Sequence, residues 1–282
     1  MRETNAKGVA AKSGRSCSVM LGLFKPKPPI DEDEFEWLLA CYAWFVREFG
    51  GIEQLRASQL VLPNARFFPA SRLDGHDRAE ELFGLVKHYA NMGDWPCDLV
   101  GTVDPSQQRI SMGPTIEQIA DTDPLGTFSY QDGQCRITYR SDELSRPQSL
   151  VAVLAHELAH YLMHSTESAP PGGRELEEHA TDLAAVFLGF GVFLANSARS
   201  FEQFQSVSIQ GWQSRNQGYL SEQALVTGLA IFVRLTDASD REAMAELKPY
   251  LHKPFRMAIK VLDRRYPMLS DAISNIDLSE WA

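Results

Sequence analysis

The five residues His156-Glu157-Leu158-Ala159-His160 constrain this chain more than any other feature, because their spacing makes chemical sense on a helix. Residues four apart on a helix lie one turn above each other, so both imidazoles can grip one metal ion. Glu157 lies about 100° round from His156, near enough to reach a water on that metal without becoming a ligand. The flanking residues support the helix. Leu150, Val151, Leu154, Leu158, Tyr161 and Leu162 recur at three- and four-residue intervals, the stripe of an amphipathic helix. Pro147 suits its first turn, and Ser145 is the expected cap before it. Both histidines are therefore expected on one face of a buried helix. Residues 165–174, with Ser168, Pro170, Pro171, Gly172 and Gly173, then turn the chain back.

Two histidines leave a catalytic zinc one protein ligand short, if a further position is to stay open for water. A second helix, expected over residues 175–196, carries the best candidate. Its Glu178 and Asp182 are four apart, so both can face the same neighbour. Glu177, His164 and His179 are rivals for the third position. Glu177 has no carboxylate four residues on, and His164 sits at the helix C-terminus, where a cation suits the dipole. His179 reads as a partly exposed helix histidine.

This pair of helices resembles the gluzincin branch of the zincin metallopeptidases, in which a Glu-x-x-x-Asp helix follows the His-Glu-x-x-His helix after a short loop. The likeness covers about residues 140–196. It implies a zinc ion held by His156, His160 and Glu178, with Asp182 orienting a ligand histidine and fixing its tautomer. It also implies a zinc metallopeptidase, a hydrolase that cleaves peptide bonds through a metal-bound water. Glu157 is then the general base that takes the water's proton and passes it to the leaving amine. Members of that branch often draw a Tyr or His from a downstream element to hold the oxyanion; Tyr219, His252 and His179 are all open to that role. Three other readings stay open: an intracellular regulatory zincin dedicated to one protein partner, a non-catalytic zinc-binding scaffold, and a metal-free helical interaction protein in which the motif arises by chance.

Composition narrows the partners. A net charge of −10 argues against nucleic acid, whose phosphates need a basic surface, and leaves a peptide or protein substrate. No membrane partner is expected, because the apolar run at 183–195 is too short to span and its Gly189 and Gly191 suit close packing. Cys17, Cys41, Cys97 and Cys135 stand singly, with neither metal-ligand nor disulfide spacing, as free thiols do in a reducing compartment. The apolar stretch at 19–24 is too short for a signal peptide, so the expected location is cytoplasmic.

The expected fold is α+β and zincin-like: a small, mostly antiparallel sheet packed on the active-site helix, with additional helices at both ends. Residues 1–30 read as a flexible leader and 31–282 as one domain, with 140–196 its metal-site core and 197–282 its helical C-terminal part. Helical spacing is clear over 33–49, which Gly50-Gly51 ends, and over 78–92, which Gly93 ends. An extended segment is expected at 59–68. Short strands are expected at 99–103, 109–112, 127–130 and 135–139, with Asp132-Gly133 as the hairpin turn between the last two. The strand at 135–139, just ahead of the metal helix, is the expected border of a substrate cleft. Further helices are expected at 222–235 behind a Ser221 cap, at 240–251 and, past the Pro254 region, at 253–263.

Overall fold

Asp31 opens the first helix, α1 (Glu32–Glu48): its carboxylate accepts the Glu34 backbone N–H at 2.8 Å. The structure, a computed structural model, describes residues 26–102, 124–206 and 219–281; most of the expected leader and the expected strand at 109–112 lie outside them. α1 ends at Gly50 and Gly51, both at positive φ, and a short unexpected helix, α2 (Gly51–Ala57), follows at once. Residues 59–68 form no strand. Leu60, Val61, Leu62 and Phe67 are buried there, and the Val61 N–H goes to the Gly189 carbonyl, a helix-side acceptor where a strand would need a sheet neighbour. α3 (Gly75–Tyr89) starts earlier than expected and stops before Gly93, where Asn91 takes the left-handed conformation.

Three strands follow: β1 (Asp98–Thr102), β2 (Gly126–Gln131) and β3 (Gln134–Arg140). Their order is β1-β3-β2, with β1 parallel and β2 antiparallel to β3. The sheet is therefore mixed among the described strands and not mostly antiparallel. The hairpin turn forms as expected, with Asp132 at φ 52° and Gly133 at φ 79°. The expected cleft border at 135–139 is corrected: β3 is the central strand with a neighbour on each side, and among the described strands β2 is the edge strand that packs on the motif helix.

That helix is α4 (Pro147–His164), with Pro147 in its first turn. Ser145 does not cap it. Arg146 occupies the cap position, and the Ser145 hydroxyl closes a preceding 3-10 turn by donating to the Asp142 carbonyl at 2.8 Å. α4 is buried on every side from Ser149 to Ala159, which is why its sequence is apolar well beyond one stripe. The expected single helix over 175–196 is broken into α5 (Glu177–Ala185), a π turn (Val186–Phe190) and α6 (Gly191–Ser206). The break falls at Gly189, whose φ is 100°; a Cβ there would lie 2.2 Å from the Gln59 carbonyl oxygen. Only glycine allows that approach.

α7 (Glu222–Thr236) carries the expected Ser221 cap, which accepts the Ala224 N–H at 3.1 Å. α8 (Asp240–Glu246) stops short of 251, because Pro249 forces Lys248 into an extended conformation. α9 (His252–Arg265) then takes Pro254 into its first turn, where the missing N–H costs nothing, and α10 (Leu269–Ser274) follows. α4 packs against β2 and β3 and against α3, α5 and α6, while α7 packs on α6 and α9, so the buried residues form one continuous core. The result is a helix-rich α+β arrangement with the metal-motif helix between the sheet and α5.

Candidate metal centre

His156 and His160 lie one turn apart on α4, their ring centroids 4.8 Å apart at 85°. Packing on both sides of the helix buries the start of the motif, with His156 4% exposed and Glu157 5%, while His160 is half-buried toward the open side. From the facing helix α5 come Glu178, Thr181 and Asp182, at the three- and four-residue spacing that puts them on one face.

Asp182 is buried, and each of its oxygens has a partner. Oδ1 accepts from His156 Nδ1 at 2.9 Å, and Oδ2 accepts the Leu220 backbone N–H at 2.7 Å. A carboxylate only accepts, so the imidazole hydrogen belongs on Nδ1 and the Nε2 lone pair is left for a metal. Thr181 does the same for the other ring. Its hydroxyl donates to the Glu177 carbonyl at 2.9 Å, which leaves its oxygen to accept from His160 Nδ1 at 3.4 Å.

Both Nε2 atoms face the Glu178 carboxylate, with Oε2 at 3.6 Å from His156 and 3.5 Å from His160. Ligand atoms held tetrahedrally at about 2.1 Å from one ion lie about 3.4 Å from each other. The spacing therefore fits an ion between the three side chains, whose ligand atoms all lie within 4.8 Å of one another. The donor chemistry fits as well: two imidazole nitrogens with their outer N–H groups engaged, and one carboxylate. His156, His160 and Glu178 form a group that can hold a metal ion.

The electrostatics point the same way. Burial pulls the His156 pKa down, but the carboxylates of Asp182 and Glu178 outweigh it and hold the group up at about 10. Hydrogen bonds from His156 and His160 hold Glu178 well below the usual carboxylate range. In the metal-free protein a proton thus sits where a cation would displace it. Glu157 differs from Glu178 in this. Burial pushes its pKa up, against the pull of His156 and His160, so it is suited to taking a proton.

The rival third ligands stand elsewhere. His164 lies on the exposed end of α4 against Tyr130, with ring centroids 4.7 Å apart. His179 packs edge-on against Trp37, and Glu177 is exposed and outside the trio whose ligand atoms converge. Of the residues open to an oxyanion role, Tyr219 comes to the site, its ring centroid 5.2 Å from that of His156. His252 instead bonds the Leu247 carbonyl through Nε2 at 3.0 Å.

Four contacts escaped the sequence reading. Thr181 was findable, because it sits one turn after Glu177 and beside Asp182. Leu220 contributes only a backbone N–H, which any residue but proline has, so its identity carries no signal. Phe128 of β2 stacks over His160, with centroids 6.1 Å apart, a contact that needs the strand's position. Gly126 of β2 lets that strand approach α4, since a Cβ there would meet Val153 Cγ1 at 2.5 Å and Glu157 Cγ at 3.1 Å. No protein family, curated protein or solved structure matches this chain.

Proposed function

We propose that this protein is a zinc-dependent peptidase of the gluzincin type, with His156, His160 and Glu178 as the metal ligands and Glu157 as the general base. The observation that carries the reading is the placement of both Nε2 atoms 3.5–3.6 Å from one Glu178 oxygen, beside a buried glutamate outside that trio. Zinc is the ion this donor set suits, and when bound it polarises a carbonyl and brings the pKa of water toward neutrality.

The chain's own residues do the rest. Asp182 and Thr181 hold the two imidazoles in the Nδ1–H form. Glu157, its pKa raised by burial, takes the proton of the attacking water and hands it to the leaving amine. Tyr219, whose hydroxyl burial keeps protonated, donates a hydrogen bond to the developing oxyanion. An extended substrate segment pairs along β2, the strand beside α4.

Glu157→Gln tests the assignment. The amide keeps the side chain's shape but cannot take a proton, so the variant should bind about one zinc per chain and lose hydrolysis by about 10²–10⁴-fold. Elemental analysis reads the first, and a mixture of fluorescence-quenched peptides reads the second. Equal activity of variant and parent on a peptide that the parent cleaves would remove the general base. A protein that takes up no transition metal after zinc reconstitution would remove the whole reading.

A further inference from the structure

The cysteines are scattered in sequence, but the fold brings two of them together. Cys135 lies on β3 and is buried; Cys97 immediately precedes β1 and is half-buried. The parallel register pairs Asp98 with Arg136, so one step back Cys97 stands opposite Cys135. Facing residues on neighbouring strands share a face and lie about 4.8 Å apart, inside the window of roughly 4.4–6.8 Å in which a disulfide closes without moving the backbone. Here the two Sγ atoms are already 2.8 Å apart, with Cys135 donating to Cys97 and Cys97 donating to the Asp98 carbonyl at 3.7 Å.

We propose that Cys97 and Cys135 are a redox pair that closes to a disulfide between the entry to β1 and the central strand. Access is from one side. Cys97 borders an open cleft of about 470 Å³, together with Glu80, Phe83, Lys87 and Arg136, while Cys135 lies behind it. Cys97 is thus the sulfur that meets an external oxidant, and Cys135 the one that resolves. With oxidised glutathione, the Cys97 thiolate attacks one sulfur and expels a glutathione thiolate, leaving a mixed disulfide. The Cys135 thiolate then attacks Cys97 Sγ and expels the second glutathione. Two protein thiols lose two electrons and two protons, and one glutathione disulfide becomes two thiols.

Burial pushes both thiols up, so the link forms slowly and is structural in character, unlike a catalytic thiol. What it ties down is specific. The closed loop contains β1 and β2, and β2 carries Phe128, which stacks over His160. Two residues before Cys97, Trp95 packs edge-on against Tyr161 of α4, with centroids 4.9 Å apart. The pair therefore fastens the sheet next to the metal helix, and it does so whether or not that site is catalytic.

The test is oxidation of the folded full chain with glutathione disulfide, quenching by alkylation under denaturing conditions, and peptide mapping by mass spectrometry. A Cys97–Cys135 cross-linked peptide is expected, with Cys41 still alkylated because it is fully buried. The melting temperature should rise by roughly 5–10 °C in the oxidised form and return on reduction. C97S should abolish both the cross-link and the shift, and C135S should leave Cys97 as a stable mixed disulfide with glutathione. Recovery of Cys97 and Cys135 as free thiols, arrest of the parent protein at the mixed disulfide, or pairing of either with Cys17 would each overturn the proposal.

Discussion

Two carboxylate clusters use the same groups under opposite conditions. Between α4 and α5, Asp182 is 1% exposed and makes two hydrogen bonds, to His156 and to the Leu220 N–H. In the C-terminal half, Arg234 of α7 holds Asp240 of α8 and Asp263 of α9 in bidentate fashion, at 2.6–3.3 Å. That second cluster has more bonds and joins three helices, yet its aspartate side chains are 44% and 51% exposed. Water screens and competes for every one of them. Burial, and not the number of bonds, decides which cluster the fold depends on.

The largest effect is expected from Asp182→Ala. Removing one partner of a buried ionic pair strands the other, at a cost of about 3–5 kcal/mol, and here it also leaves the Leu220 N–H without its acceptor. Chemical denaturation reads that loss. Zinc affinity should fall by about 10–100-fold as well, since the His156 ring is no longer oriented. A stability change under ~1 kcal/mol would break the contrast between the clusters.

Glu178→Ala sharpens it from within the same centre. Glu178 is one turn from Asp182 on α5, but its side chain is 51% exposed. Metal-free stability should therefore move by only about 1 kcal/mol, the upper end for a half-exposed ion pair. The parent should gain about 2.7 kcal/mol from zinc at a hundredfold excess over Kd, and the variant should gain little. Thermal melts with zinc and with a chelator separate the two. A variant that keeps the full zinc response would exclude Glu178 as a ligand.

The smallest effect is expected from Asp240→Asn, a loss under ~1 kcal/mol at neutral pH. The Arg234 hydrogen bonds hold the Asp240 pKa below its ordinary 3.8. A depressed carboxylate stabilises the fold above its unfolded pKa, and that contribution disappears as the pH falls through the lower folded value. The gap between parent and variant should accordingly be full at neutral pH and close as the pH drops below 3.8, a convergence that denaturation at several pH values would show. A loss as large as that of Asp182→Ala would mean that exposure does not discount these bonds.

How much of this could be read from the chain differs from element to element. The metal helix was legible because its stripe and its histidine spacing are properties of consecutive residues with a fixed period. The Ser221 cap and the Asp132-Gly133 turn were legible for the same reason: each is a backbone conformation that one or two side chains select. Residues Glu178 and Asp182 came from helical spacing and a family likeness, and the fold places both against the histidines of α4.

What only the tertiary structure decided involves partners far apart in sequence. Nothing near Gly189 announces that the Gln59 carbonyl will press on it and break the helix. The central place of β3 depends on β1 arriving from the other side, which no alternation within residues 134–140 encodes. Asp182 is anchored by a backbone N–H 38 residues away, and Cys97 meets Cys135 only through strand register. Period and turn chemistry are written in adjacent residues. Contact across a closed loop is set by how the whole core packs, and it leaves no local trace.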